Sequence, residues 1–150
     1  MSDISASERA DQLSRRRARM LPVLAILYFS QQATFFSALD PDGHESARAV
    51  KIGAWLLLSA ILLAALTTKA FWLERKEVRD LIDDEGTRAN RHEAVKYGFV
   101  AAMLMTMGTY LLVWIEPITA PEAAHLILSA GIGAALLRFG FLERRAHRDG

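Results

Sequence analysis

Residues 69–96 read KAFWLERKEVRDLIDDEGTRANRHEAVK and form a densely charged segment in the middle of the chain. Two uncharged apolar runs precede this segment, and two follow it. They cover 20–39, 52–68, 97–115 and 123–137. A helix that crosses a bilayer needs about 20 mainly apolar residues, with a usual range of about 17–25. The sequence therefore predicts an all-α integral membrane protein, a four-helix bundle.

The fourth run is the shortest, and it reaches the required length only if the helix continues past Arg138. A long basic side chain near a helix end can extend its charged group to the interface, which lets the helix run on to Leu142. A soluble domain would instead show helices with one polar face. We therefore predict a single membrane domain, 1–150, with spans at about 20–39, 52–73, 96–115 and 123–142.

The distribution of basic residues predicts the orientation of the bundle. Sixteen of the eighteen Lys and Arg residues lie in the N-terminal tail, in the central segment or at the C-terminal end. Only Arg48 and Lys51 lie between the first two spans, and 116–124 contains none. Because Lys and Arg concentrate in cytoplasmic loops, both termini and the central segment are predicted to be cytoplasmic, an N-in/C-in topology.

The central segment is predicted to form a cytoplasmic helical hairpin between helices 2 and 3, over about 70–96. Apolar residues recur at helical spacing among the charges of its first half. Gly86 stands where a left-handed helix C-cap is expected. A second helix then begins at Thr87 or Asn90 and re-enters the membrane through Tyr97.

This hairpin carries more sequence detail than a connector requires. Apolar side chains at helical spacing on a charged helix are typical of a docking surface. The alternative is that they pack against Ala89 and Ala94 of the returning arm. The candidate partner-binding residues are Arg75, Val78, Arg79, Leu81, Ile82, Asp83, Asp84, Glu85, Arg88 and Arg91.

The first predicted helix has a polar face inside its apolar run. Several of its polar residues recur three or four positions apart and so share one side of the helix. Because an unsatisfied polar group in hydrocarbon is costly, this face should point into the bundle or across a subunit interface. It serves either for hydrogen bonding between helices or as the lining for a small polar or cationic ligand. The face consists of Ser30, Gln31, Gln32, Thr34 and Ser37.

Small residues on the other helices predict close helix packing. Gly98 and Ala102 lie on one stripe of the third helix, and Gly133 and Gly140 lie in the fourth. Small side chains let two helix backbones approach each other in a membrane. Such faces also permit a homodimer.

Signals for catalysis and cofactors are missing from the sequence. The chain has no cysteine, which excludes disulfides, thiolate metal sites and thiol redox chemistry. There is no phosphate loop, no Gly-x-Ser-x-Gly and no histidine pair at metal-ligand spacing.

No apolar run contains a midplane carboxylate or lysine, which disfavours ion-coupled transport. We predict a non-enzymatic protein that binds no metal or other cofactor. Membrane topology and anionic lipid explain the basic segments, so we expect no direct nucleic-acid binding.

The segment 84–91, DEGTRANR, is followed by Ala94, Gly98 and a membrane helix. It resembles a D-E-x-T-x-x-N signature found before the third helix of small bacterial four-helix integral membrane proteins, some of which are encoded beside small helix-turn-helix repressors. Gly86 stands where that pattern more often has a basic residue. The resemblance covers 84–98 and the helical layout. It implies the bacterial inner (plasma) membrane and a regulatory partner, but no agreed activity and no catalytic residue.

These observations favour a non-enzymatic inner-membrane interaction protein. Through the hairpin at 70–96, it would tether a cytoplasmic regulator or serve as an accessory subunit of a larger membrane complex. The alternative is a small channel or carrier, or a sensor of a lipid-like ligand, that uses the polar face of the first helix. The other expected partners are the lipid bilayer and a second copy of the chain.

Overall fold

The computed structural model describes residues 6–37, 45–67 and 85–149. The described residues form four α-helices and no strand, which confirms the predicted all-α class and the four helices. The helices are α1 (Ala6–Ser37), α2 (Glu45–Thr67), α3 (Glu85–Leu112) and α4 (Ala120–Asp149).

Three of these helices are long and apolar enough to cross a membrane. The candidate spans are Ala49–Thr67, Glu85–Leu112 and Ala120–Ala146. The predicted span at 20–39 is not among them, because the side chains of 32–37 and residues 38–39 lie outside the described part of the chain. Helices of this length and composition are those of a membrane protein. The span predicted at 20–39 stays a prediction.

The helices run alternately up and down. Pro22 of α1 lies against Gly140 of α4, and Phe29, later in α1, lies against the earlier Gly133, so these two helices are antiparallel. α3 is likewise antiparallel to α4, and α4 contacts all three other helices. The start of α1, the end of α2, the start of α3 and the end of α4 therefore share one end of the bundle. We call this the arginine-rich end; its described arginines include Arg15, Arg16, Arg19, Arg88, Arg91, Arg144, Arg145 and Arg148.

Small residues form the crossing between α3 and α4. A Cβ atom placed on Gly98 would lie 2.6 Å from the carbonyl oxygen of Gly131 and 2.8 Å from the Cβ of Ala135. One placed on Gly131 would lie 3.1 Å from the Cβ of Ala102. The close-packing face predicted on the third helix is confirmed at Gly98 and Ala102, and its counterpart on α4 includes Gly131.

Both glycines predicted to pack closely on the fourth helix contact α1. Gly140 receives the ring of Pro22, whose Cδ would lie 2.9 Å from a Cβ at that position. Gly133 is covered by the ring of Phe29. Pro22 lies inside α1 and has no N–H to donate to the preceding turn. Its ring instead fills the space that Gly140 leaves on the facing helix.

The loop between α3 and α4 is short and defined by local contacts. α3 ends at Leu112, three residues before the predicted end, and the Glu116 N–H donates a hydrogen bond to the Leu112 carbonyl at 2.9 Å. α4 begins just after Thr119. The Glu122 carboxylate accepts hydrogen bonds from the Thr119 N–H and hydroxyl, both at 2.8 Å, in the manner of a capping box.

The prediction of a left-handed C-cap at Gly86 is wrong. α3 begins at Glu85, Gly86 lies in its first turn, and no described residue has a positive φ angle. An acidic residue is favourable at a helix N-terminus, where its charge meets the positive end of the helix dipole. The helix therefore begins at Glu85 and includes Gly86. The returning arm of the predicted hairpin is the first part of α3, whereas its first arm lies outside the described residues.

Candidate functional site

A hydrogen bond joins α1 and α2 inside the apolar part of the bundle. The hydroxyl oxygens of Tyr28 and Ser59 lie 2.9 Å apart. Both side chains are buried, with exposed fractions of 1% and 5%. In an apolar environment each hydroxyl needs a partner, and here each satisfies the other.

A second contact of polar groups joins α2 to α4. The imidazole ring of His125 packs on the indole of Trp55, with ring centroids 4.3 Å apart. Ser129 follows His125 by one turn and is also buried; its hydroxyl has no hydrogen-bond partner among the described residues. We define the buried polar cluster as Tyr28, Trp55, Ser59, His125 and Ser129.

Sequence reasoning alone does not single out this cluster. Its residues come from three helices, and each is an ordinary residue for a membrane span or its edge. The one available signal is spacing, because Trp55 and Ser59 are four positions apart, as are His125 and Ser129. Each pair therefore lies on one face of its helix.

The Tyr28–Ser59 bond can be tested with a double-mutant cycle. We expect Tyr28→Phe and Ser59→Ala each to lower the stability, and the double variant to lose less than the sum of the two. The coupling should be about 0.6 kcal/mol and at most about 1.7 kcal/mol, as for other hydrogen bonds between membrane helices. The measurement is the free energy of unfolding in mixed micelles. Strict additivity would show that the two hydroxyls do not interact.

The predicted polar face of α1 does not point into the bundle at the two positions whose side chains the structure describes. Ser30 and Gln31 are both exposed, and the Ser30 hydroxyl donates a hydrogen bond to the Leu27 carbonyl of its own helix at 2.8 Å. These two side chains therefore do not point into the bundle of a single chain. The subunit interface and the ligand-binding role of this face stay predictions. The side chains of Gln32, Thr34 and Ser37 lie outside the described part.

At the arginine-rich end, polar side chains connect α3 to α4. The Asn90 amide donates a hydrogen bond to the Glu143 carboxylate at 3.2 Å, and Glu143 is only 3% exposed. The Arg138 guanidinium forms an ion pair with Glu93 and lies 4.5 Å from the ring centroid of Tyr97. We call Asn90, Glu93, Arg138 and Glu143 the polar junction. It holds the two helices together where they leave the apolar region.

Among the candidate partner-binding residues, the structure describes only those at the start of α3. Glu85 and Arg88 are exposed, whereas Arg91 is half-buried. The structure thus gives Arg91 a less accessible position than the other two. The remaining candidates, Arg75, Val78, Arg79, Leu81, Ile82, Asp83 and Asp84, lie outside the described residues.

Part of the segment that resembles the bacterial signature packs inside the bundle. Thr87 and Ala94 are buried, Asn90 belongs to the polar junction, and Gly98 lies at the α3–α4 crossing. These four positions follow each other at intervals of three or four residues, so they form one stripe along α3. These four residues form a helix-packing face of α3, whereas Glu85 of the same segment is exposed.

Within the described ranges, no three His, Asp or Glu side chains come close enough together to hold a metal ion. Glu122 instead caps α4, and the His125 ring packs at a tilt against Trp55. No protein-family model, curated protein or solved structure matches the chain. The resemblance to the bacterial four-helix proteins therefore stays a hypothesis that rests on 84–98.

Proposed function

We propose that this chain is a non-enzymatic interaction protein of the bacterial inner membrane. It tethers a cytoplasmic regulator, or serves as an accessory subunit of a larger membrane complex, through its arginine-rich end. The observation that carries the proposal is the polar junction. It joins the polar extensions of α3 and α4, residues 85–96 and 138–149, into one antiparallel pair.

Each extension is long enough to stand clear of the apolar region. Twelve helical residues extend about 18 Å at 1.5 Å per residue. The outer surface of the pair is rich in exposed basic side chains. Two helices that only connect membrane spans need no buried carboxylate between them, such as that of Glu143. Burying a charge is costly unless the charged group is hydrogen-bonded. The exposed basic residues are Arg88, Lys96, Arg144, Arg145 and Arg148.

The position of the basic residues also supports the cytoplasmic orientation. The packing of α1 and α3 against α4 brings the N-terminal, central and C-terminal arginines to the same end of the bundle. A bundle with most of its positive charge at one end orients with that end in the cytoplasm. The predicted hairpin would continue from this end, since its first arm joins α2 to α3.

The test is crosslinking in native membranes, followed by affinity purification of the tagged protein and mass spectrometry. We expect a stoichiometric partner with the wild-type chain and loss of that partner with Arg88→Glu and with Leu81→Glu. The matched control is Lys51→Glu, which makes the same charge change at an exposed position near the opposite end. Membrane fractionation would verify insertion of every variant.

Equal recovery of the partner by all variants would exclude the arginine-rich end as the binding surface. Recovery of only the protein itself would favour the alternative functions, a channel, a carrier or a sensor. In that case the first helix becomes the place to examine.

A homodimer is favoured by a separate observation. Gln31 is exposed on α1 next to exposed apolar side chains such as Leu27. An amide that faces lipid lacks hydrogen-bond partners, and a second copy of α1 could supply them. We expect Gln31→Cys, in a chain that otherwise has no cysteine, to form a disulfide-linked dimer on oxidation. A Val23→Cys variant, exposed two turns earlier on the same helix, gives the reference level for chance collisions.

A further inference from the structure

A groove with apolar walls lies between α1, α2 and α4, close to the arginine-rich end. Its volume is about 290 Å³, near the lower limit of about 300 Å³ for small-molecule sites. Its walls are aliphatic and aromatic side chains from all three helices. They include Leu24 of α1, Leu62 and Leu66 of α2, and Leu136 and Phe139 of α4.

The groove extends inward from Arg16 over most of the depth of one bilayer leaflet. On α1 its wall runs from Arg16 to Leu24, eight residue steps that correspond to about 12 Å along a helix. Half of a hydrocarbon core about 30 Å thick is about 15 Å. An acyl chain aligned with the helices therefore lies in the groove over most of its depth in the leaflet.

One basic side chain lies in the wall of this otherwise apolar groove. Arg16 lines it one turn from Met20, on the side of the arginine-rich end, and Arg16 is exposed. No carboxylate of the described ranges pairs with its guanidinium. A guanidinium binds a phosphate group through two parallel hydrogen bonds and keeps its charge at every physiological pH.

We infer that this groove binds one acyl chain of an anionic glycerophospholipid and that Arg16 binds its phosphate. The apolar walls shield the chain, and the basic group favours a lipid with net negative charge over a zwitterionic lipid of the same chain length. The site is separate from the polar face of α1, and it does not depend on the proposed cytoplasmic partner.

The experiment is native mass spectrometry of the purified protein with added palmitoyl-oleoyl phosphatidylglycerol or the matching phosphatidylcholine. We expect one phosphatidylglycerol to stay bound at lipid concentrations at which phosphatidylcholine dissociates. Arg16→Gln should weaken phosphatidylglycerol binding about fivefold, the factor that corresponds to about 1 kcal/mol for one basic residue near a membrane surface. Arg19→Gln is the control, because Arg19 is exposed on the same helix and does not line the groove.

A second pair of variants tests where the acyl chain lies. Ala65→Phe places a ring in the groove and should abolish binding of the lipid, whereas Ala60→Phe, exposed on the same helix outside the groove, should leave it unchanged. If Ala65→Phe does not fold, Ala65→Leu makes the same test with a smaller side chain. Unchanged binding in the folded Ala65 variant, an equal loss with Arg16→Gln and Arg19→Gln, or no preference for phosphatidylglycerol would each overturn the inference. The last result would leave the groove to another occupant, such as a second copy of the chain.

Discussion

Leucine in place of Gly98 is expected to separate α3 from α4 and to lower the melting temperature of the detergent-solubilised protein by about 6–12 °C. A side chain at this position meets the backbone carbonyl of Gly131, which has no alternative rotamer to adopt. Overpacking of this kind typically costs about 1–3 kcal/mol, and a backbone clash belongs at the upper end. For a chain of about this size, each 1 kcal/mol lowers the melting temperature by about 2–4 °C.

Gly108→Leu is the matched control for this variant. A Cβ atom at Gly108 meets nothing within 4 Å, and the residue is exposed on the same helix. Because leucine favours a helix more than glycine does, we expect no loss of stability at this position. The measurement is the fraction of monodisperse protein that remains after heating. Equal losses at Gly98 and Gly108 would show that the α3–α4 crossing does not determine the stability.

Alanine in place of Glu143 is expected to let the polar extensions of α3 and α4 move apart. The substitution leaves the Asn90 amide without its carboxylate acceptor in a partly buried site, at a cost of about 1–3 kcal/mol. The separation can be measured by electron–electron double resonance between spin labels attached to Ala89→Cys and Ala146→Cys. Both alanines are exposed, and the chain contains no other cysteine to label. We expect a narrow distance distribution in the parent chain and a broad, longer one with Glu143→Ala.

Glutamine at position 143 distinguishes the hydrogen bond from the mere presence of a long side chain. Its amide oxygen can accept the same bond from Asn90, so the distance distribution should stay close to that of the parent. A broad distribution with glutamine would assign the effect to the lost charge. A narrow one with alanine would show that Glu143 does not hold the extensions together.

The number of helices can be predicted from the sequence because it depends on a local property. Each predicted span is mainly apolar over about the length that a bilayer requires, and the backbone in such an environment must satisfy its own hydrogen bonds. The helix ends follow less well. α2 begins at Glu45 and α4 continues to Asp149, beyond the predicted ends of the apolar runs, because helices continue into polar residues without a change in backbone hydrogen bonding. Gly86 is mispredicted for the same reason.

The packing partners cannot be predicted in this way. The same apolar residue types occur on a helix surface that faces lipid and on one that faces another helix. The sequence alone therefore does not show that α1 packs against α4. The polar junction cannot be predicted from the sequence for a related reason. Asn90 and Glu143 are 53 positions apart, and each by itself looks like a solvated residue at a membrane boundary. Only the antiparallel pairing of α3 and α4 reveals that Glu143 is buried.

The pairing of α1 mainly with α4, and only at few points with α2, has a consequence for biosynthesis. α1 leaves the ribosome first, but the surface that covers Pro22 and Phe29 is made last. If α1 spans the bilayer as predicted, it therefore stays without its principal neighbour while α2 and α3 are synthesised. In that case the bundle closes only after α4 has been inserted, and a chain that terminates early leaves the first helix unpaired.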